Sequence, residues 1–392
     1  MNKVRRTLAS AGGMNALSSI LAILVGLLAG FIVLLVSNPS QAVAGFVTIL
    51  TGGVSDMFNF GQVLYYAVPI IMTGLSVGFA GKTGLFNIGA SGQFTCGMFV
   101  SILVAVKCAF LPGPLQCLAA LIAGLLAGAL WGLVPGMLKA LRNVNEVISC
   151  IMMNYIGMYL VNQLIRQMGI YDQLRNMTVR VPLDANLPML GLNTLFSTTT
   201  AQGGIRASSV GSGIIIAIVV CVLLYIVLEK TKFGYELKSC GYNREAARYA
   251  GINENRGIML SMAIAGALAG LGGALIALAG AGRGIAVVDV LSNEGFQGIP
   301  VALLGLYNPI GILFSGVLIA YFTQSGFLLQ RHAFAPEIIE IIVAVIIYFS
   351  ALALLLKGAI QFFLRERKNL PHITSEVAGT DEDAPAQSGG DD

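Results

Sequence analysis

Apolar runs long enough to cross a bilayer recur along the chain, separated by short polar breaks. A transmembrane helix needs about 20 mostly apolar residues. On that measure the pattern predicts helices at about 16–36, 61–80, 86–106, 115–138, 145–165, 213–229, 257–280, 310–330 and 336–356. A shorter apolar piece, 296–307, lies between the breaks at Asn293-Glu294 and Tyr307-Asn308-Pro309, and counting it gives about ten transmembrane helices. The first run is too long for the apolar part of a signal peptide and reads as a membrane helix. The stretch 37–61 is half polar and predicts a short helix at the interface. The segment 166–212 is the longest non-membrane stretch, with Pro182, Pro188 and the run STTTAQGG. The expected fold is an all-α polytopic membrane protein, with a transmembrane domain over 1–368 and a disordered, acidic tail over 369–392.

Composition agrees. The chain is 56% hydrophobic and 11% charged, where soluble domains carry about 25% charged residues. It has 48 Gly, and small residues recur every fourth position: Ala120, Gly124, Gly128, Gly132 and Gly136 in one run, Gly257, Ser261, Ala265, Ala269, Gly273 and Ala277 in another. Such stripes let helices approach closely in lipid, where the hydrophobic drive between helices is absent. A net charge of +4 is too small and scattered for a nucleic-acid binder. Six Cys without a CxxC pair and two His exclude a zinc-site pattern. With ten spans, 16 of the 23 Lys and Arg fall on one side, among them Lys3, Arg5, Arg6, Lys357, Arg365, Arg367 and Lys368 at the two termini. The positive-inside rule then places both termini and the loop 230–256 in the cytoplasm, and loop 166–212 outside.

The cytoplasmic loop is the one long polar stretch with helix-forming character, EKTKFGYELKSCGYNREAARYAGINENR over 229–256. Within it, Glu245, Ala246 and Ala247 predict a short helix with a small face, and Gly251, followed by Ile252, ends it. A soluble partner could grip such a face, although an ordinary connecting loop has the same composition. Two breaks resemble each other: GKTGLFNIGASGQF after the second span and GRGIAVVDVLSNEGFQ after the seventh. They run in opposite senses, so spans 2–5 and 7–10 are expected to be inverted repeats, with the solute path at the broken segments. Polar and aromatic residues there are the candidate path: Phe86, Asn87, Gln93, Glu146, Asn154, Asn293, Glu294, Phe296 and Gln297. The same polar groups could instead cap helices and satisfy neighbouring backbone. No catalytic constellation and no P-loop sequence are present, so any uphill transport draws on an ion gradient or another subunit. Three classes stay open on the residues: a permease driven by a separate ATPase, an ion-coupled secondary carrier and a membrane scaffold.

Four motifs narrow this. GLSVGFAGKTGLFNIGASGQF at 74–94, NEVISCIMMNYIG at 145–157, KFGYELKSCGYNREAARYAGIN at 232–253 and FQGIPVALLGLYNPIGILF at 296–314 together resemble the permeases of ABC importers for branched-chain amino acids, simple sugars and nucleosides, the nucleoside-type branch most of all. The resemblance covers roughly 60–355. It implies a non-catalytic permease in a bacterial cell membrane, paired with a second permease, two ATPase subunits below and an extracytoplasmic substrate-binding protein above, without cofactor. It also implies that Gly241, Asn243, Glu245, Ala246, Ala247, Gly251 and Ile252 form the element that couples to the ATPase.

Overall fold

The computed structural model describes residues 11–199, 203–280 and 283–351. Two units divide the chain: Ala22–Ala351 carries the fold, and Met1–Leu21 with Leu352–Asp392 forms the other. The basic clusters at Lys3, Arg5 and Arg6 and at Lys357, Arg365, Arg367 and Lys368, together with the tail 369–392, lie outside the described residues.

In chain order the main helices are α1 (Ala11–Ser37), α2 (Ala42–Thr51), α3 (Met57–Lys82), α4 (Ala90–Lys107), α5 (Gly113–Arg142), α6 (Glu146–Gln167), α7 (Gly213–Lys230), α8 (Lys232–Tyr242), α9 (Arg244–Tyr249), α10 (Glu254–Ala277), α11 (Asn293–Leu304), α12 (Pro309–Leu329) and α13 (Pro336–Ala351). Among the described residues, seven helices are long and apolar enough to cross a membrane: α3, α4, α5, α6, α7, α10 and α12. The short helix expected in 37–61 is α2. Two expectations change. The piece 296–307 is the 12-residue α11. At 1.5 Å per residue it measures about 18 Å, well short of the roughly 30 Å hydrocarbon core, so it is not by itself a full crossing. The third span begins at Ala90 rather than 86, because Gly84 takes a φ of +74° and the Asn87 side chain accepts from the Gly89 amide (3.1 Å), which holds 83–89 out of the helix.

α3 and α10 form the centre and are buried along most of their length. α10 is small-sided on two faces. Gly266 and Gly270 meet Gly128 on α5, where a Cβ added to Gly128 would lie 2.7 Å from the Gly270 Cα. The predicted α5 stripe is therefore a helix seam. On α10 the stripe facing it is Met262, Gly266, Gly270 and Ala274, not the one read from the sequence. Of the latter, Gly273 abuts Phe94 and Met98 on α4, and Ser261 hydrogen-bonds to Thr83 at the end of α3. The opposite side of α5 exposes Leu118, Ile122, Leu126 and Leu130. An apolar stripe of that kind suits lipid and would be a liability in water. A separate apolar cluster joins Leu34, Ala42 and Ile49 near α1 and α2 to Phe322, Leu329 and Phe334.

Within 168–199 and 203–212 two small antiparallel strand pairs form: Tyr171–Asp172 with Met177–Thr178, and Ser197–Thr199 with Ile205–Ala207. The segment is pinned to the chain after α10. Leu187 donates to the Leu278 carbonyl (2.8 Å), Thr178 to that of Ile285 (3.0 Å), and Val287 donates to the Asn176 carbonyl (2.9 Å).

Candidate functional site

The break before α4 is locked by its own polar groups. The Asn87 amide donates to Gln93 Oε1 (2.8 Å) and Ser76 Oγ (3.0 Å), and Gln93 Nε2 donates back to Asn87 Oδ1 (3.0 Å). Asn154, on α6, accepts from the Gly92 amide (2.8 Å) and donates to the Ile88 carbonyl (3.0 Å). All three side chains are buried. Three of the candidate path residues thus meet at one junction with their hydrogen bonds satisfied, as buried amides must. Phe86, just before them, is half-buried. Glu146 stands apart: it pairs with Lys139 (2.9 Å) across the α5–α6 turn, where Asn145 caps α6 by accepting from the Val147 amide (2.9 Å).

The second break leads to α11, which runs alongside α3 in the same direction. Gly298 lies against Thr73, and Val301 against Gly74; Tyr307, just beyond its end, reaches Gly81. The first turns of α4 and α11 touch. Ser91 Oγ donates to the Ser292 carbonyl (2.8 Å), and a Cβ on Gly295 would collide with Ser91. Thr73 Oγ1 donates to the Glu294 carbonyl (2.9 Å). The Glu294 carboxylate accepts from Ser292 Oγ (2.7 Å) and from Arg283 (3.1 Å). Asn293 is exposed and does not cap α11, while Phe296 and Gln297 are half-buried. The two matching breaks read from the sequence therefore converge on one contact.

A cavity of about 680 Å³ opens at the N-terminal end of α3. Its walls are Phe58, Asn59, Gln62, Tyr65 and Tyr66 of α3, Gln324 and Phe327 of α12, Ser209, and the guanidinium-bearing Arg206, Arg283 and Arg331. Arg206 stacks over Phe58 (3.9 Å to the ring centre) and Arg283 lies near the Tyr66 ring (5.5 Å). Gln324 donates to Asn59 Oδ1 (3.0 Å), and Gln62 makes a long bond to Ser209 (3.4 Å). Sequence reasoning passed over these residues. The signal was there: Asn59, Gln62 and Tyr66 recur at helical spacing on one side of an otherwise apolar span, and Gln324 interrupts another.

At the opposite end of α3, the polar island 230–256 folds into α8 and α9. Asn243 caps α9 by accepting from the Ala246 amide (3.0 Å). Gly251, at φ +79°, ends it, and the Ile252 amide returns to the Ala247 carbonyl (3.0 Å). That is the left-handed termination the EAA pattern implied. Glu245 and Ala246 face solvent, whereas Ala247 is buried and anchors the helix. Tyr242 and Tyr249 flank them, about nine-tenths exposed at 89% and 93%. The island meets the break before α4 directly: a Cβ on Gly241 would lie 2.6 Å from the Thr83 carbonyl carbon, and one on Gly84 2.6 Å from the Gly241 Cα. Burial pushes the neighbouring Cys240 thiol up.

Known proteins are similar in sequence to this chain over most of their length. The nucleoside ABC transporter permease protein NupB of Lactococcus lactis subsp. cremoris is 33% identical over 88% of this chain and 92% of its own. The guanosine ABC transporter permease protein NupP of Bacillus subtilis is 34% identical over 86% of this chain and 93% of its own. A glucose ABC transporter permease protein of Haloferax volcanii is 30% identical over 95% and 93%. No solved structure matches the chain. Residues 59–351, from the cavity wall at Asn59 through the island to the described end of α13, match the family described as the permease component of the branched-chain amino acid transport system, and the chain belongs to that family.

Proposed function

We propose that this chain is the membrane-spanning subunit of an ATP-driven ABC importer and that its solute is a nucleoside. The observation that carries the reading is similarity over almost the whole length to relatives named for nucleosides and for guanosine. A relative named for glucose makes a simple sugar the second reading. The chain carries no P-loop sequence, so ATP hydrolysis belongs to a partner. Two permease subunits pair in a bacterial cell membrane above two ATPase subunits, and an extracytoplasmic binding protein delivers the solute. Both termini and the island are cytoplasmic, which the distribution of Lys and Arg supports.

In this reading Gly241, Asn243, Glu245, Ala246, Ala247, Gly251 and Ile252 form the handle on which the ATPase pulls. Its contact with Thr83 and Gly84 gives the movement a short route into the break before α4. The α3–α6 and α10–α13 halves act as inverted repeats, with α11 as a half-length counterpart of α4. Phe86, Asn87, Gln93, Glu146, Asn154, Asn293, Glu294, Phe296 and Gln297 border the path. Asn87, Gln93 and Asn154 do so as a wall that keeps its shape, because their hydrogen bonds are already committed within the junction. Asn293, exposed at the start of α11, is the part free to meet solute.

Reconstitution tests this. The chain with its ATPase and binding protein in proteoliposomes takes up radiolabelled guanosine only with ATP on the side that bears the handle. The chain alone takes up none under a proton or sodium gradient. Glu245→Lys and Gly251→Val leave insertion intact and abolish uptake. Gradient-driven uptake by the chain alone would establish a secondary carrier instead.

A further inference from the structure

The cavity at the N-terminal end of α3 lies away from both the handle and the locked junction. We infer that it is a receiving site for the nucleoside, held there before it passes α11. The inference rests on the nucleoside-importer reading and gives that solute a place on the permease itself.

A volume of about 680 Å³ lies within the range of small-molecule sites. Its walls combine what a nucleoside needs. Phe327, 47% exposed, and Tyr66 beside it offer apolar ring surface to a base, and the Arg206 guanidinium stacked on Phe58 adds a second planar surface; base–aromatic stacking tolerates different bases. Gln62 and Gln324 each commit an amide nitrogen, to Ser209 and Asn59. Their carbonyl oxygens remain for the N–H groups of a base edge. Arg206 and Arg331, at the cavity wall, have no carboxylate partner among the described residues, and their N–H groups suit ribose oxygens.

Tyr65 points to a ligand independently. It is 5% exposed and lines the cavity, and its hydroxyl is buried with no hydrogen-bond partner. Buried hydroxyls are nearly always paired, and leaving one unpaired is unfavourable. The hydroxyl is closed off from the cavity in this conformation, and a small turn of the Tyr65 side chain would bring it to a ribose hydroxyl or ring nitrogen, which supplies the missing partner. Arg283 links the cavity to α11. It lines the cavity and holds Glu294 in the first turn of that helix (3.1 Å), so an occupant that shifts Arg283 acts on the half-length helix beneath.

The experiment uses the full transporter with loaded binding protein in proteoliposomes. Tyr65→Phe removes one hydroxyl and keeps the ring. Guanosine uptake is expected to fall about tenfold, the size of one lost hydrogen bond, while ATP hydrolysis stimulated by the binding protein is retained. Independently, Gln62→Cys in a Cys108→Ser background is labelled by an impermeant maleimide from outside. Guanosine-loaded binding protein is expected to slow that labelling at least threefold, and ligand-free binding protein is not. Full uptake by Tyr65→Phe, or labelling indifferent to guanosine, overturns the inference. A wild-type transporter that imports no nucleoside overturns the underlying reading instead, before any variant is made.

Discussion

Asn154 shows how one side chain can hold a whole junction. Its carboxamide bridges α6 to both the Ile88 carbonyl and the Gly92 amide. Removing it strands two buried polar groups, each costing about 1–3 kcal/mol. Asn154→Ala is therefore expected to lower the thermal midpoint of the purified protein by several degrees. Asn162→Ala, which loses bonds to Val288 and Asp289 at an exposed position, should barely move it. Equal shifts for the two would deny Asn154 its special standing. At this scale the sequence was partly legible. Asn87, Gln93 and Asn154 stand out because amides are rare in apolar runs. Their meeting was not legible, since Asn154 is far from the other two along the chain. Gly84 and Gly241 were opaque for the same reason: each reads as a turn residue, and only folding reveals that their backbones touch.

Elements depend on which faces meet. The α5–α10 seam is built from Gly124, Gly128 and Gly132 against Gly266 and Gly270. Close approach here replaces the hydrophobic drive that lipid removes. Gly270→Leu would place side-chain atoms against the Gly128 backbone and is expected to cost about 3 kcal/mol or more, seen as loss of protein from the membrane fraction. Leu126→Ala, on the exposed side of α5, should accumulate normally. Periodicity exposed the α5 stripe from sequence alone, because Gly124, Gly128, Gly132 and Gly136 recur at an unbroken four-residue spacing while the opposite side carries Leu118, Ile122, Leu126 and Leu130. On α10, where small residues lie on two faces, it picked out the face that packs against α3 and α4 and passed over the one that meets α5. The length of α11 was also ambiguous, since an apolar run of this size fits either a short crossing or a half-helix.

For the whole molecule the prediction is topological. Tyr249 on the island and Leu174 at a hairpin tip are both almost fully exposed, at 93% and 100%. In intact cells, Leu174→Cys should react with an impermeant maleimide and Tyr249→Cys should react only after the membrane is opened. The reverse pattern would put the handle on the wrong face. That the chain is a polytopic helical membrane protein was legible, since hydropathy alone demands membrane helices; seven long apolar helices stand among the described residues against the ten expected. The arrangement of the segment 168–212 was not. Its polar, Pro-containing sequence gives no periodicity, and its order comes from bonds to the chain after α10. The contact between Ser91 and Gly295 sets the positive dipole ends of two helices side by side. On the proposed path a sodium ion or hydronium arriving there meets repulsion from both dipoles, the Glu294 carboxylate beside them being already paired with Arg283 (3.1 Å), while an uncharged solute meets none. If the proposed solute path runs past this contact, it is a route so polarised that a nucleoside can enter without short-circuiting the membrane potential on which the rest of the cell depends.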